Sequence, residues 1–347
     1  MDSLRRFALG LAITAISAVV LVLAVDWSKV SEVLRSANPA YVALGVAFLL
    51  SSTTAKTVRW RMLLPASAEV PTARLFRILH ISYLLNNVFP ARLGDVARVS
   101  MASHLRGARV GHVLSSLITE RVTDIVSLLV CFVVVSPFLP LPDRYLRWVH
   151  AAWWVLGILA AVVLITALVR RPIARSSWLA SLAKRVPLRG WLREEAASFR
   201  DGWRQLFART HVFRIWGWSF VAWVGAFCIN YSLMKALEID APLTVAVLIT
   251  CTTNLAMLVP SSPSYVGVFH AAATLSLLPF GVGASRALSF AILAHLVNVV
   301  PVSVLGAAFL LSGRDRISFN MEALRRGKPG EAVEARDESV AEAVTTT

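Results

Sequence analysis

Charge is scarce in this chain. Only 16% of its 347 residues are charged, against about 25% in soluble domains. Acids are scarcer still, 20 against 35 Lys and Arg, for a formal net charge of +15. Hydrophobic residues make up 57%. So few charges cannot coat a globule of this length, which excludes a soluble domain and leaves the polytopic membrane class. Disorder, collagen and coiled coil are excluded by the same figures. Cysteine is nearly absent. Cys131, Cys228 and Cys251 all lie in apolar runs without metal or redox spacing, so they read as small buried hydrophobes and not as a disulfide scaffold.

Catalytic motifs are missing too. The chain has no Gly-rich phosphate loop, no G-x-S-x-G, no H-R-D-like set, and no His-x-x-x-His or Glu-x-x-His pair. The expectation is therefore a protein that is not an enzyme and has no cofactor and no metal site. Thirty of the 35 cations are arginine. They flank apolar segments and do not form a basic domain, which points to cytoplasmic membrane loops and not to nucleic acid.

Long apolar runs are what the chain has instead. Residues 7–25, 40–58, 110–139, 148–169, 215–234 and 287–312 each read as a membrane span. Two further stretches are broken. Residues 75–103 are interrupted at Asn86-Asn87-Val88-Phe89-Pro90-Ala91-Arg92-Leu93-Gly94-Asp95, and neither half reaches the roughly 20 residues needed to span. Residues 241–285 lack any charge but are too long for one span, and break at Pro260-Ser261-Ser262-Pro263 before Gly267. Both look like helical hairpins with tips inside the membrane, where broken backbone survives only against protein or a water-filled cavity. The expected fold is an all-α polytopic integral membrane bundle of about eight membrane segments, two of them broken or re-entrant hairpins.

Loop charges set an orientation. Segment 56–77 has five cations and one acid, and segment 170–214 has eleven cations and three acids. The outward segments 26–40 and 139–147 carry little net charge. Basic loops face the cytoplasm, and so do both termini. The two hairpins then enter from opposite sides, the signature of an inverted repeat around a midplane site. An irregular bundle with two unrelated kinks is the alternative. Within the 170–214 loop, Leu192, Ala196, Phe199, Trp203 and Leu206 recur at helical spacing with Arg193, Arg200 and Arg204 among them. That pattern suits a basic amphipathic helix, on the anionic inner leaflet or on the bundle itself. Residues 1–312 form the membrane domain, and 313–347 read as a disordered cytoplasmic tail.

Several polar residues sit at membrane depth. Arg92, Asp95 and Arg98 follow one another at i, i+3 and i+6 in the first hairpin. Glu120, Arg121 and Asp124 lie in the next apolar segment, Glu120 and Asp124 on one helix face. Left unpaired, six such charges would cost on the order of 15–20 kcal/mol on insertion scales, more than typical net stability. They pair, snorkel or line water. A polar clamp and a hydrated anion-binding cavity both fit, and one cluster serves for both. Asn86, Asn87 and Asn254 lie near the breaks, where amides cap freed backbone groups. In the second hairpin, Pro263, Gly267 and His270 mark the break, and His295 and Asn298 are polar groups in the last span.

The segment Asn86 through Arg98, then Glu120-Arg121-Val122-Thr123-Asp124, then Pro260 through Gly267, resembles the lysylphosphatidylglycerol synthase transmembrane family, also called the flippase-like or UPF0104 family. The first segment is similar to that family's N-N-x-x-P-A-R-x-G-[DE]-x-x-R pattern, and the resemblance covers roughly residues 5–312. The second hairpin departs from it. Where the family reads S-P-G-G-x-G-x-x-E, this chain has Ser264 and Tyr265 for the paired glycines and His270 for the acid. The resemblance implies an eight-helix-like bundle tied to movement of lipids or lipid-linked precursors. In two-domain synthases a separate soluble domain performs aminoacyl transfer. The 35 residues after residue 312 are too few for one, so none is expected in this sequence.

The combined expectation is an inner-membrane protein that binds and translocates a phospholipid or polyprenyl-linked lipid. Arg92 and Arg98 would meet the headgroup, because arginine forks onto phosphate. Asn87, Asp95, Glu120, Arg121 and Asp124 would support them. Membrane lipids are the expected partners, with envelope-biosynthesis proteins as candidates. A membrane enzyme or a scaffold subunit of an envelope lipid or glycan complex is the alternative.

Overall fold

The structure is a computed structural model and describes residues 27–65, 70–89, 92–103, 105, 108–139, 147, 150, 153–155, 157, 209–257 and 263–312. The span read at 7–25, most of that at 148–169, the segment 192–206 and the tail 313–347 lie outside the described residues. Among those residues every element is helical. They are α1 (Trp27–Ser36), α2 (Pro39–Leu63), α3 (Thr72–Val88), α4 (Leu93–Ser103), α5 (Val110–Val135), α6 (Arg209–Ala236), α7 (Leu243–Ala256), α8 (Val268–Leu277) and α9 (Ala284–Leu311). Two differences from the sequence reading are local. Segment 26–40, read from sequence as an outward loop, contains a helix, α1. Residues 209–214, assigned to the basic loop, form the first turns of α6.

Four helices are long and apolar enough to cross a membrane: Pro39–Leu63, Val110–Phe138, Val212–Ala236 and Ala284–Leu311. The shortest of them has 25 residues, about 37 Å at 1.5 Å per residue, which exceeds a hydrocarbon core of about 30 Å. One-third of each apolar window is buried within the protein. Phe213, Phe220, Val304 and Leu311 are among the large apolar side chains turned outward. The start of α2 follows from its sequence. Pro39 fills the first turn, where its missing N–H costs nothing, and the Asn38 side chain accepts from the Ala40 N–H at 3.0 Å.

The broken stretches form helix pairs as expected, α3 with α4 and α7 with α8. Each half of the described chain thus reads long helix, broken pair, long helix. Exchanging α2 for α6, α3 for α7, α4 for α8 and α5 for α9 reproduces the packing. α2 packs on α3 as α6 packs on α7, and α4 packs on α5 as α8 packs on α9. Across the halves, α3 packs on α9 as α7 packs on α5. α2 and α6 pack on each other along their length and run antiparallel. Gly45 lies against Leu233, Ser52 Oγ donates to the Ala222 carbonyl at 2.8 Å, and Arg59 reaches Ser219 at 3.0 Å. Corresponding helices that touch and run antiparallel are what a two-fold axis in the membrane plane requires, so the packing is that of an inverted repeat. Small residues permit the close approach.

Candidate functional site

The first break is built by geometry that its residues dictate. α3 stops at Val88, with the Phe89 N–H donating back to the Leu85 carbonyl at 2.9 Å. Arg92 then adopts a left-handed backbone, φ 54°, at a cost of about 1–2 kcal/mol for a residue with a Cβ. α4 starts immediately after, and the Asp95 N–H donates to the Arg92 carbonyl at 2.9 Å. Gly94 lies against α3 so closely that a Cβ there would collide with the Ser82 carbonyl oxygen. That contact lets Asn86 donate to Asp95 Oδ1 at 3.1 Å and lock the two short helices together.

The second break has the backbone that glycines favour without the glycines. Ser264 and Tyr265 sit at φ 53° and 57°, and Gly267 at φ 89°. The sequence departure at 264 and 265 therefore puts side chains on a backbone that glycines would favour. Those side chains make contacts that glycines could not. Ser264 Oγ donates to the Asn87 carbonyl at 3.1 Å. Arg92 Nε donates to Tyr265 Oη at 2.7 Å, and Arg92 Nη2 donates to the Met257 carbonyl at 2.8 Å. The two hairpins meet tip to tip.

Around that junction the charged residues sort into pairs. Arg98 forks onto Glu120, Nη1 to Oε1 at 3.2 Å and Nη2 to Oε2 at 2.8 Å. Its guanidinium lies 3.8 Å from the centroid of the Trp60 ring, a buried cation–π contact. Asp124 accepts from Arg59 at 2.6 Å, and Asp95 accepts from Arg121 at 3.1 Å. Pairing at this depth offsets part of the desolvation cost of each ion.

A cavity of about 270 Å³ opens beside these pairs. Lys56, Arg92, Glu120, Arg121 and Asp124 line it, with Tyr83, Asn254, Tyr265 and Asn298 as neutral polar neighbours. α2, both hairpins, α5, α6 and α9 all contribute, so it lies between the two halves.

The residues expected from sequence divide between this cavity and the clamp behind it. Arg92, Asn87, Glu120, Arg121, Asp124 and Asn254 line the cavity. Arg98, read as a headgroup ligand, does not. It is 2% exposed, and Glu120 takes both of its terminal nitrogens. Asp95 lies one step back, between Asn86 and Arg121. Asn87 donates to Ser303 at 2.9 Å, and Asn254 donates to the carbonyl of its own helix at Thr250 at 2.8 Å. Pro263 opens the turn of the second hairpin, and Gly267 caps α8 and donates its N–H to His270 Nδ1 at 3.3 Å. His270 stacks on His295 at 4.7 Å, away from the cavity lining.

Three participants were not singled out from sequence: Lys56, Arg59 and Tyr83. Lys56 and Arg59 read as the charged end of a span at residue 58. α2 continues to Leu63, so both lie within the helix, and Arg59 is fully buried. The signal was the spacing Lys56, Arg59, Trp60, which places all three on one side of a helix. Their inclusion also changes the charge count. The six charges noted from sequence balance, but the assembled cluster has five cations and three acids.

Comparisons with known proteins agree with the membrane architecture. Over 120 residues the chain is 32% identical to a protein named Glycosyltransferase AglD from Haloferax volcanii. That match covers 34% of this chain and spans only 19% of the relative. Over 320 residues it is 22% identical to a UPF0104 membrane protein from Methanothermobacter thermautotrophicus, covering 88% of this chain and 94% of the relative. No solved structure matches. Residues 7–306, nearly the whole apolar part, match the family described as Lysylphosphatidylglycerol synthase TM region. This multi-pass membrane protein belongs to the lysylphosphatidylglycerol synthase transmembrane family.

Proposed function

We propose that this protein binds a phospholipid or polyprenyl-linked lipid and translocates it between the leaflets of the inner membrane, without being an enzyme. The observation that carries the reading is the charged cavity of about 270 Å³ at the meeting point of two broken hairpins, one from each half. An anionic headgroup crossing hydrocarbon needs a polar path, and discontinuous helices at the interface of inverted repeats are where transporters place one. Arg92 offers the headgroup an always-ionised donor in the cavity wall. Glu120, Asp124 and Asp95 hold Arg98, Arg59 and Arg121 in place. A lipid gradient or coupling to ions or protons supplies the drive. Both termini and the 170–214 loop face the cytoplasm, an orientation supported by the loop charges. Impermeant labelling of Gly190→Cys or Gly330→Cys from the outer side would overturn that orientation.

The test is reconstitution into liposomes with labelled phosphatidylglycerol, phosphatidylethanolamine or a polyprenyl phosphate, following leaflet accessibility over time. The protein accelerates transfer of at least one lipid over empty liposomes. Arg92→Ala abolishes the acceleration, and Arg92→Lys restores part of it, because lysine gives a point charge without a planar fork. If the protein accelerates none of them, with or without a proton gradient, the reading fails. The second reading, a membrane enzyme or scaffold subunit in envelope lipid or glycan biosynthesis, is favoured by the name of the Haloferax relative. It would then replace the first.

A further inference from the structure

We infer that the cavity is a site for a phosphate monoester carrying two negative charges, held by Lys56 and Arg92. This rests on the lipid-binding reading of the same cavity and adds the headgroup's charge. The argument is a count of partners. Each of the three acids in the cluster is taken by one arginine: Glu120 by Arg98, Asp124 by Arg59, Asp95 by Arg121. Two cations are left over. Among the described residues Arg92 bonds only to a phenol and a backbone carbonyl, neither of which carries a compensating charge. Lys56 makes no ion pair among the described residues. Its Nζ sits 5.5 Å from the centroid of the Trp223 ring. Asp124, which lines the same cavity, is already held by Arg59 at 2.6 Å.

Lys56 and Arg92 come from different elements, α2 and the first hairpin's tip, yet line one cavity. Two uncompensated cations at membrane depth are costly unless an anion joins them. A phosphodiester such as phosphatidylglycerol brings one charge and leaves one cation unmet. A phosphate monoester brings about −1.5 to −2 at neutral pH and three acceptor oxygens, and meets both. Its charge and the Lys56 proton stabilise each other, while Arg92 is charged at any relevant pH. The volume agrees. It is that of about nine waters at roughly 30 Å³ each, which admits a phosphate group. Phosphatidate, a polyprenyl monophosphate and free inorganic phosphate share this chemistry.

The experiment is calorimetric titration of the full-length protein in detergent with phosphatidate, a polyprenyl monophosphate, phosphatidylglycerol and inorganic phosphate. At least one monoester lipid binds about tenfold or more tightly than phosphatidylglycerol, the scale of one hydrogen bond to a charged group. Lys56→Gln and Arg92→Gln lower the monoester affinity more than the phosphatidylglycerol affinity. Lys56→Arg keeps the preference, which separates lost charge from lost fold. The preference shrinks as pH falls through about 6, where the monoester loses its second charge. The acids facing the cavity, Glu120 and Asp124, are paired with Arg98 and Arg59.

Equal affinity for phosphatidylglycerol and the monoesters would overturn the dianion inference and leave lipid translocation standing. Inorganic phosphate binding as tightly as either monoester lipid would keep the dianion site and overturn the lipid reading. A Lys56→Gln effect equal on both lipid classes would also sink the inference.

Discussion

The two broken hairpins share a place in the repeat and differ in chemistry. Each interrupts its half with left-handed residues, Arg92 in the first and Ser264, Tyr265 and Gly267 in the second. Each packs between long helices in the same pattern. The first carries Arg92, Asp95 and Arg98, whereas the second has no charge from residue 241 to 285. It gives hydroxyls and a carbonyl to its partner instead. The comparison teaches that the repeat supplies a scaffold and a break, while the charges that make a site enter from one half. α2 and α5 stand beside the first hairpin with Lys56, Arg59, Glu120, Arg121 and Asp124. α6 and α9, their counterparts, offer Ser219, Asn298 and Ser303 at the site.

That asymmetry makes the first half more sensitive to substitution. The largest expected effect is Glu120→Gln. It leaves Arg98 buried without its charge partner and destabilises by about 3–5 kcal/mol, the usual penalty for breaking a buried pair. Thermal unfolding in detergent checks it, and an unchanged Tm would show that the pair is not structural. Gly94→Ala comes next, since its Cβ meets the Ser82 carbonyl oxygen and separates α3 from α4. Overpacking of this kind costs about 1–3 kcal/mol, read in the same unfolding measurement.

Tyr265→Phe probes the junction between the hairpins. It removes the acceptor of Arg92 Nε at 2.7 Å, worth about 1.5–3 kcal/mol for a bond to a charged group if nothing replaces it. Water in the adjacent cavity replaces part of it, so the expected loss lies below that range. Protease sensitivity of the 257–267 segment rises if the contact holds the tip, and stays at the wild-type level if it does not. Ser264→Gly should have the smallest effect. It relieves about 1–2 kcal/mol of left-handed strain and loses a neutral hydrogen bond of about 1 kcal/mol, so Tm stays nearly constant. A large drop would mean that the bond from Ser264 to the Asn87 carbonyl, and not the backbone, fixes the second tip.

Much of this arrangement was legible along the chain. A helix that cannot reach across hydrocarbon, interrupted by Asn, Pro, Arg and Gly, announces a break wherever it packs. The need of Arg98 for an acid followed from the cost of a lone charge. Less legible was the continuation of α2 beyond residue 58. Arg59 and Arg61 lower the local hydropathy and look like a span's cytoplasmic end. In the fold Arg59 is covered by Asp124 and Ser219, and the helix runs on to Leu63.

By itself, then, the sequence determined the membrane class, the four long helices among the described residues, both breaks, and the presence of ions among apolar segments. These properties are local: run length, helical spacing and residue type act within one segment. The tertiary structure alone decided which ion meets which. Arg59 and Asp124 are 65 residues apart, and Arg92 and Tyr265 are 173. No periodicity links positions so distant. Arg98 and Arg92, six residues apart on one hairpin, look equivalent in the sequence. Packing buries Arg98 against Trp60 and Glu120 and turns Arg92 toward the cavity, because charges in a low-dielectric interior take whichever partner the helix contacts bring within about 3 Å.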